Sequence, residues 1–235
     1  MTTLFRFVVV SDGHINYSSD NVAAHNDAAA TISDWHNEDS INMLVYNGDT
    51  SQDDPAHQQL QDEFFDLLPT DIPTYQVYGN HEYIEVSEWE SFYNQDVRTS
   101  FSKTMDNGDE IGFLIVRSAA DFAEGEDTHV TGGDRCEIMD PDWIKAELDA
   151  FESDENVTSV FVFSHIFPHT EREYGVDCPD VRNEYNREIV DGVFSGHHHP
   201  SNDVIMVDGT RYLYTNHLGD RGNDTTGIRL VEVNE

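Results

Sequence analysis

Asp, Asn and His recur in this chain in short clusters, each at the end of an apolar run. Val8-Val9-Val10 leads into Ser11-Asp12-Gly13-His14, Leu44-Val45-Tyr46 into Asn47-Gly48-Asp49, and Gln76-Val77-Tyr78 into Gly79-Asn80-His81-Glu82. Further along, Phe161-Val162-Phe163 leads into Ser164-His165, and Val193-Phe194 into Ser195-Gly196-His197-His198-His199. Taken singly, each cluster reads as an ordinary turn, helix cap or loop. Taken together they offer carboxylate and amide oxygens beside imidazole nitrogens. That mixture suits a transition metal such as Mn, Fe or Zn and is poor for calcium, which takes oxygen alone.

The runs that deliver these clusters predict the scaffold. Apolar or β-rich stretches at 4–10, 43–47, 74–78 and 159–164 read as strands buried on both faces. Between them lie helical stretches: an Ala-rich one at 22–37, one at 57–68 with Leu60, Phe64, Leu67 and Leu68 on its packing face, and one at 141–151 opened by Pro after Asp140. Strand and helix in alternation mean parallel β-α-β units. Asp106-Asn107-Gly108-Asp109 and Val207-Asp208-Gly209-Thr210 each join two β-like runs and read as hairpin turns. The expected fold is therefore α/β, layered, with mixed sheets, as a single domain over 1–235. The carboxyl ends of parallel strands share one edge of a sheet, where open α/β folds place their sites, so the polar clusters should converge there. Gly48, Gly79 and Gly196 are expected to let the backbone turn sharply into the site.

The order of the clusters, Asp-x-His, Gly-Asp, Gly-Asn-His-Glu, a single His and then Gly-His-x-His, resembles the calcineurin-like metallophosphoesterase family over residues 5–200. The resemblance implies an α/β/β/α sandwich of two mixed sheets with its metal site at the strand ends. By motif, Asp12, His14 and His199 would bind one ion, Asn80, His165 and His197 the other, and Asp49 would bridge them. The implied cofactors are two divalent transition-metal ions, Mn, Fe, Zn or Ni, with Mn favoured. The implied reaction is in-line attack on phosphorus by a metal-bridging hydroxide, with His81 protonating the leaving group and Asp53 or Asp54 orienting it. Asn80, His169 and Arg172 are the candidate substrate contacts. His169 and His217 are placed at the mouth of the site, and Arg135 and Arg221 stand beside Arg172 as possible phosphate clamps. His198 is expected to point away between two ligands, and His25, His36, His57 and His129 to lie on the surface. Protein Ser/Thr phosphatases carry Gly-Asp-x-x-Asp-Arg-Gly, whereas this chain has Gly48-Asp49-Thr50-Ser51-Gln52-Asp53-Asp54, which counts against a protein substrate. A small phosphodiester or phosphomonoester is the expected substrate. The alternatives are a DNA-processing nuclease, disfavoured by the short segment after the last motif, and a scaffold that keeps the fold without the chemistry.

Charge narrows the setting. The 235 residues hold 47 Asp plus Glu against 12 Lys plus Arg, a formal net charge of -35, and the only lysines are Lys103 and Lys145. The acid is spread along the chain, so self-repulsion calls for concentrated counter-ions, as in the cytoplasm of a high-salt organism or its virus. The Lys/Arg footprint of a duplex binder is missing, so nucleic acid is disfavoured as a partner. No apolar run approaches a membrane span, no leader precedes the first strand, and the chain reads as soluble and intracellular, with its oligomeric state open. Cys136 and Cys178 are far apart in loop-like sequence, and with a reducing cytosol in view they are expected to be free thiols.

Overall fold

The structure, a computed structural model, describes residues 2–15, 19–50, 57–82, 84–119, 134–171, 175–198, 202–218 and 227–235. Its elements run β1 (Thr3–Val10), α1 (Ser19–Glu38), β2 (Met43–Tyr46), α2 (His57–Asp66), β3 (Thr74–Gln76), α3 (Val86–Tyr93), β4 (Thr99–Thr104), β5 (Glu110–Val116), α4 (Asp134–Met139) and α5 (Pro141–Ser153). They continue with β6 (Val157–Ser164), α6 (Pro179–Tyr185), β7 (Val190–Ser195), β8 (Val204–Val207), β9 (Thr210–Tyr214) and β10 (Ile228–Asn234). Among the described residues, no helix is long and apolar enough to cross a membrane.

Two mixed sheets result. One has the order β10-β1-β2-β3 and the other β4-β5-β6-β7-β9-β8. In the first, β1, β2 and β3 are parallel and β10 runs against β1; in the second, β5, β6, β7 and β9 are parallel, with β4 and β8 antiparallel at the two edges. Alternation along β1 explains the layering, because a strand sends successive side chains to opposite faces. Phe5, Phe7 and Val9 pack with Met43 and Val45 against Ile111, Phe113, Phe161, Phe163 and Phe194 of the other sheet, while Val8 and Val10 pack with Ala28, Ala29 and Ile32 of α1 and Phe64 and Leu68 near α2. The outer face of the larger sheet is covered by Trp89 of α3, Met139 of α4, Ile144 and Leu148 of α5 and Val181 and Tyr185 of α6. The architecture is α/β/β/α.

Local signals account for the boundaries. Asp140 caps α5, its side chain accepting from the Trp143 N–H at 3.1 Å, and Pro141 follows in the first turn. The β8–β9 turn places Asp208 at φ 51° and Gly209 at φ 96°, the positive-φ pair that a tight hairpin requires.

Three expectations are corrected. Cys136 and Cys178 are bridged, with Cα atoms 5.4 Å apart, because α4 and the segment entering α6 pack side by side on the larger sheet although 42 positions separate them in sequence. Leu67 is 51% exposed: α2 ends at Asp66, and the chain turns there so that Phe64 and Leu68 face the core without it. The Leu60 and His57 side chains lie outside the described residues, as does His129. His25 is 2% exposed, and His36 is half-buried with its Nδ1 accepting from the Ile41 N–H and its Nε2 3.4 Å from Asp71. The surface reading fails for both because each is covered from outside its own helix, His25 by Tyr46 and Phe64 and His36 by the Ile41 backbone and Asp71.

Candidate metal centre

The strand ends meet because the register makes them meet. Val10 of β1 pairs with Tyr46 of β2, so the two chains leave the sheet side by side, with the Asp12 N–H donating to Gly48 O at 3.0 Å and the His14 N–H to Asp49 O at 3.0 Å. In the other sheet Phe163 pairs with Phe194, and the Gly196 N–H donates to His165 O at 3.1 Å. The two sheets are joined at this edge by the Asp12 carboxylate, whose oxygens accept the His197 N–H at 2.9 and 3.0 Å and the Ser11 hydroxyl.

Backbone strain concentrates in these loops. Asp12, His14, Asp49 and His197 sit at φ of 52°, 42°, 51° and 62°, a left-handed region that side chains other than glycine enter rarely. The motif glycines have a more specific role than the one expected of them. Only Gly48 has a positive φ, 88°; a Cβ on Gly79 would fall 2.2 Å from Asp49 N, and one on Gly196 would fall 2.1 Å from Ser11 Oγ. At the last two positions the requirement is close approach, of Gly79 to the backbone and carboxylate of Asp49 and of Gly196 to the Ser11 and Asp12 side chains.

The donors form two groups that share one carboxylate. Ligand atoms of His14, Asp49 and His81 lie within 4.8 Å of one another, and so do those of Asp49, His165 and His197. Asp49 Oδ2 is 3.1 Å from His165 Nε2 and 3.9 Å from His14 Nε2, while its Oδ1 accepts the His81 backbone N–H at 2.9 Å. Asp12, His14, Asp49, Asn80 and His165 are buried, and His81 and His197 are half-buried.

His165 carries the test of whether a metal fits. Its Nδ1 donates to Asn47 O at 2.8 Å, which leaves Nε2 facing Asp49 Oδ2 at 3.1 Å, Asn80 Oδ1 at 3.1 Å and Asp12 Oδ1 at 4.0 Å. A lone pair set against three oxygens is repulsive unless a cation stands between them. Burial alone would push the His165 imidazolium pKa down, yet the Asp49 and Asp12 carboxylates carry it up to about 10, so in the metal-free chain the cation is a proton. Burial likewise opposes ionisation of Asp49, and the attraction of His165 and His81 outweighs it and holds that carboxyl well below the usual range. Glu82, which accepts the Thr50 N–H at 2.9 Å, is pushed up to about 8 by burial and by the Asp49 charge. A divalent ion would replace the His165 proton and satisfy the same oxygens, so the donor set fits one.

Other expected residues fall elsewhere. His169 is 1% exposed, with its Nε2 accepting from or donating to the Tyr214 hydroxyl at 2.8 Å and its ring against Tyr212 and Phe167. It packs beneath the loop and is not at a mouth, because Phe167 draws that segment into the core. His198 turns toward Phe167 and Tyr214, outside both ligand groups. His217 is half-buried. His199, Asp53, Asp54, Arg172 and Arg221, and the Arg135 side chain, lie outside the described residues. Glu82, Ser11 and Asn47 support the site without having been singled out; for Glu82 the signal was its place in the Gly-Asn-His-Glu run.

An α/β/β/α sandwich with a metal-capable His/Asp cluster at its strand ends defines the class of protein. The family model of the calcineurin-like phosphoesterases matches residues 5–201, and the chain belongs to that family. No curated protein sequence matches it. Solved structures share the fold: a dimetal phosphatase from Danio rerio at TM-score 0.72 and 14% identity, with 100% of this chain and 94% of that one covered, and a phosphopantetheinyl hydrolase from Mycobacterium tuberculosis at 0.63 and 12%, with 98% and 97% covered. A purple acid phosphatase from yellow lupin (Lupinus luteus) seeds aligns at 0.61 and 13%, over 97% of this chain and 47% of that one.

Proposed function

We propose that this protein is a metal-dependent phosphoester hydrolase acting on a small phosphodiester or phosphomonoester. The observation that carries the reading is the sharing of Asp49 between the His14–His81 and His165–His197 groups, the arrangement a dinuclear centre needs. Asp12, His14 and Asp49 would hold one ion, joined by His199 as the motif implies, and Asp49, Asn80, His165 and His197 the other, with Mn favoured over Fe, Zn or Ni. When bound, two such ions supply Lewis acidity to the phosphoryl oxygens and a nucleophile at neutral pH.

The chain's own residues supply the rest. His165 is fixed by Asn47 O so that Nε2 faces the site. Asn80 directs Oδ1 at His165, and its buried Nδ2, which has no hydrogen-bond partner among the described residues, is available to a phosphoryl oxygen. His81 would hold a proton for the leaving group at its imidazole. Its ring stands 5.0 Å from that of His14, within reach of the same ion, so metal content must accompany any test of it.

The test is a panel of para-nitrophenyl phosphate, bis-para-nitrophenyl phosphate, cyclic nucleotides and single-stranded DNA, assayed with Mn in high salt before and after chelation. Full activity in a verified metal-free preparation would sink the reading. His81→Ala should keep both metals and cost about 100- to 10,000-fold with an alkoxide leaving group, and clearly less with para-nitrophenolate, which departs without a proton. Loss of metal would make His81 a ligand instead.

A further inference from the structure

The 12–14 turn is held from outside the motif, by α1. Asn21, 4% exposed in the first turn of that helix, directs its Nδ2 at two carbonyls, Gly13 O at 2.9 Å and His14 O at 3.3 Å. Only the amide nitrogen can donate to a carbonyl, so the orientation of this side chain is set by its partners. Beneath the same turn sits Tyr46. A Cβ on Gly13 would fall 1.7 Å from the Tyr46 hydroxyl and 2.5 Å from His25 Nε2, so the turn rests on this pair with no space between them. His25 donates from Nδ1 to Asn21 O at 2.6 Å, which leaves Nε2 to accept the Tyr46 O–H at 3.1 Å.

We propose that Asn21 is a positioning residue for the metal site: by clamping the carbonyls of Gly13 and His14 while Tyr46 blocks the turn from below, it holds Asp12 and His14 in the left-handed conformations that aim both side chains at one ion. The proposal rests on the reading above that Asp12 and His14 bind metal. The clamp has work to do, because φ values of 52° and 42° are unfavourable for these residues and the turn would relax if its carbonyls were released. The turn is fixed on its other side by bonds to Gly48 O and Asp49 O, so Asn21 supplies the anchor that comes from a different layer of the fold.

Asn21→Asp tests this, since it keeps the shape and replaces the donor with an acceptor facing two carbonyl oxygens. Titrating the metal-free protein with Mn in a calorimeter should give two ions for the unchanged chain. In the variant, one site should keep its affinity and the other weaken by about 10- to 100-fold, the usual cost of losing a partner that orients a ligand. Amide hydrogen exchange in the metal-free variant should quicken at Gly13, His14 and Ile15 and stay unchanged in β6 and β7. Asn21→Ser, which shortens the reach without adding charge, serves if Asn21→Asp does not fold. Equal weakening of both sites, or unchanged affinities with unchanged exchange at the turn, overturns the proposal. An unchanged chain that takes up no Mn overturns the metal reading instead, and the exchange measurement then decides by itself whether Asn21 holds the turn.

Discussion

Removing the Cys136–Cys178 bridge should cost this protein a large part of its stability. The bridge spans a sequence separation of 42. In the chain-entropy account a loop of about that length withholds about 13 cal/mol/K from the unfolded ensemble, or about 4 kcal/mol at 25 °C. A chain of 235 residues moves its midpoint by about 2–4 °C for each kcal/mol, so the fall should be about 8–16 °C. Cys178 is 1% exposed and packs with Val181 and Tyr185, so Ala at that position would leave a small void and add slightly to the loss. The assay is thermal unfolding followed by circular dichroism in molar salt, for the oxidised protein, the same protein with a phosphine reductant, and a Cys136→Ala/Cys178→Ala double variant. Free thiols are counted in denaturant on never-reduced material. Thiols found there, or a midpoint that reduction lowers by less than about 2 °C, would refute the reasoning. A structural disulfide also persists best outside a reducing cytosol, which sets this bridge against the intracellular setting expected from the sequence.

Asp49→Asn should lower the content of both metals together, because both groups draw on that carboxylate; elemental analysis showing unchanged content would remove Asp49 from the ligand set. His25 gives a pH dependence. Burial lowers its pKa from 6.5 to about 4, so the folded chain prefers the neutral ring and this part of the stability is present above pH 6.5 and lost as the pH falls toward 4. Between about pH 7 and pH 5 the wild type should lose about 2 kcal/mol more than His25→Gln in denaturant unfolding, and parallel curves would contradict the assignment. The melting temperature should rise steeply from dilute buffer to molar chloride, since a charge of -35 is screened over about 10 Å at 0.1 M and about 3 Å at 1 M; a flat profile would remove the high-salt argument.

Strand-end chemistry was legible because it needs only local facts: β1, β2, β6 and β7 each carry an apolar run toward the carboxyl end, polar residues follow it directly, and parallel pairing does the rest. The hairpin turns were legible for the same reason, since Asp208-Gly209 states its conformation in two residues. What failed to show depends on which surfaces meet. The Cys136–Cys178 pairing is set by α4 packing beside the entry to α6, the depth of His25 by Tyr46 on another element, and the burial of His169 by Phe167 and Tyr214. Leu67 was misplaced by one turn of helix that the chain does not complete. Neither the disulfide nor the depth of His25 has a signature within its own window of sequence; the end of α2 does have one, in Pro69 three residues beyond Asp66.

The left-handed backbones of Asp12, His14, Asp49 and His197 leave a mark on how this chain can change over generations. At each of these positions glycine would relax the backbone while removing a ligand atom, so backbone ease and chemistry pull in opposite directions; at Asp12 and Asp49 the same change would also strip a buried carboxylate that accepts backbone N–H groups of neighbouring loops. Asp, His, Asp and His thus hold four positions where the backbone by itself would rest more easily as glycine, and that strain is a cost the fold carries for the sake of the side chains it presents.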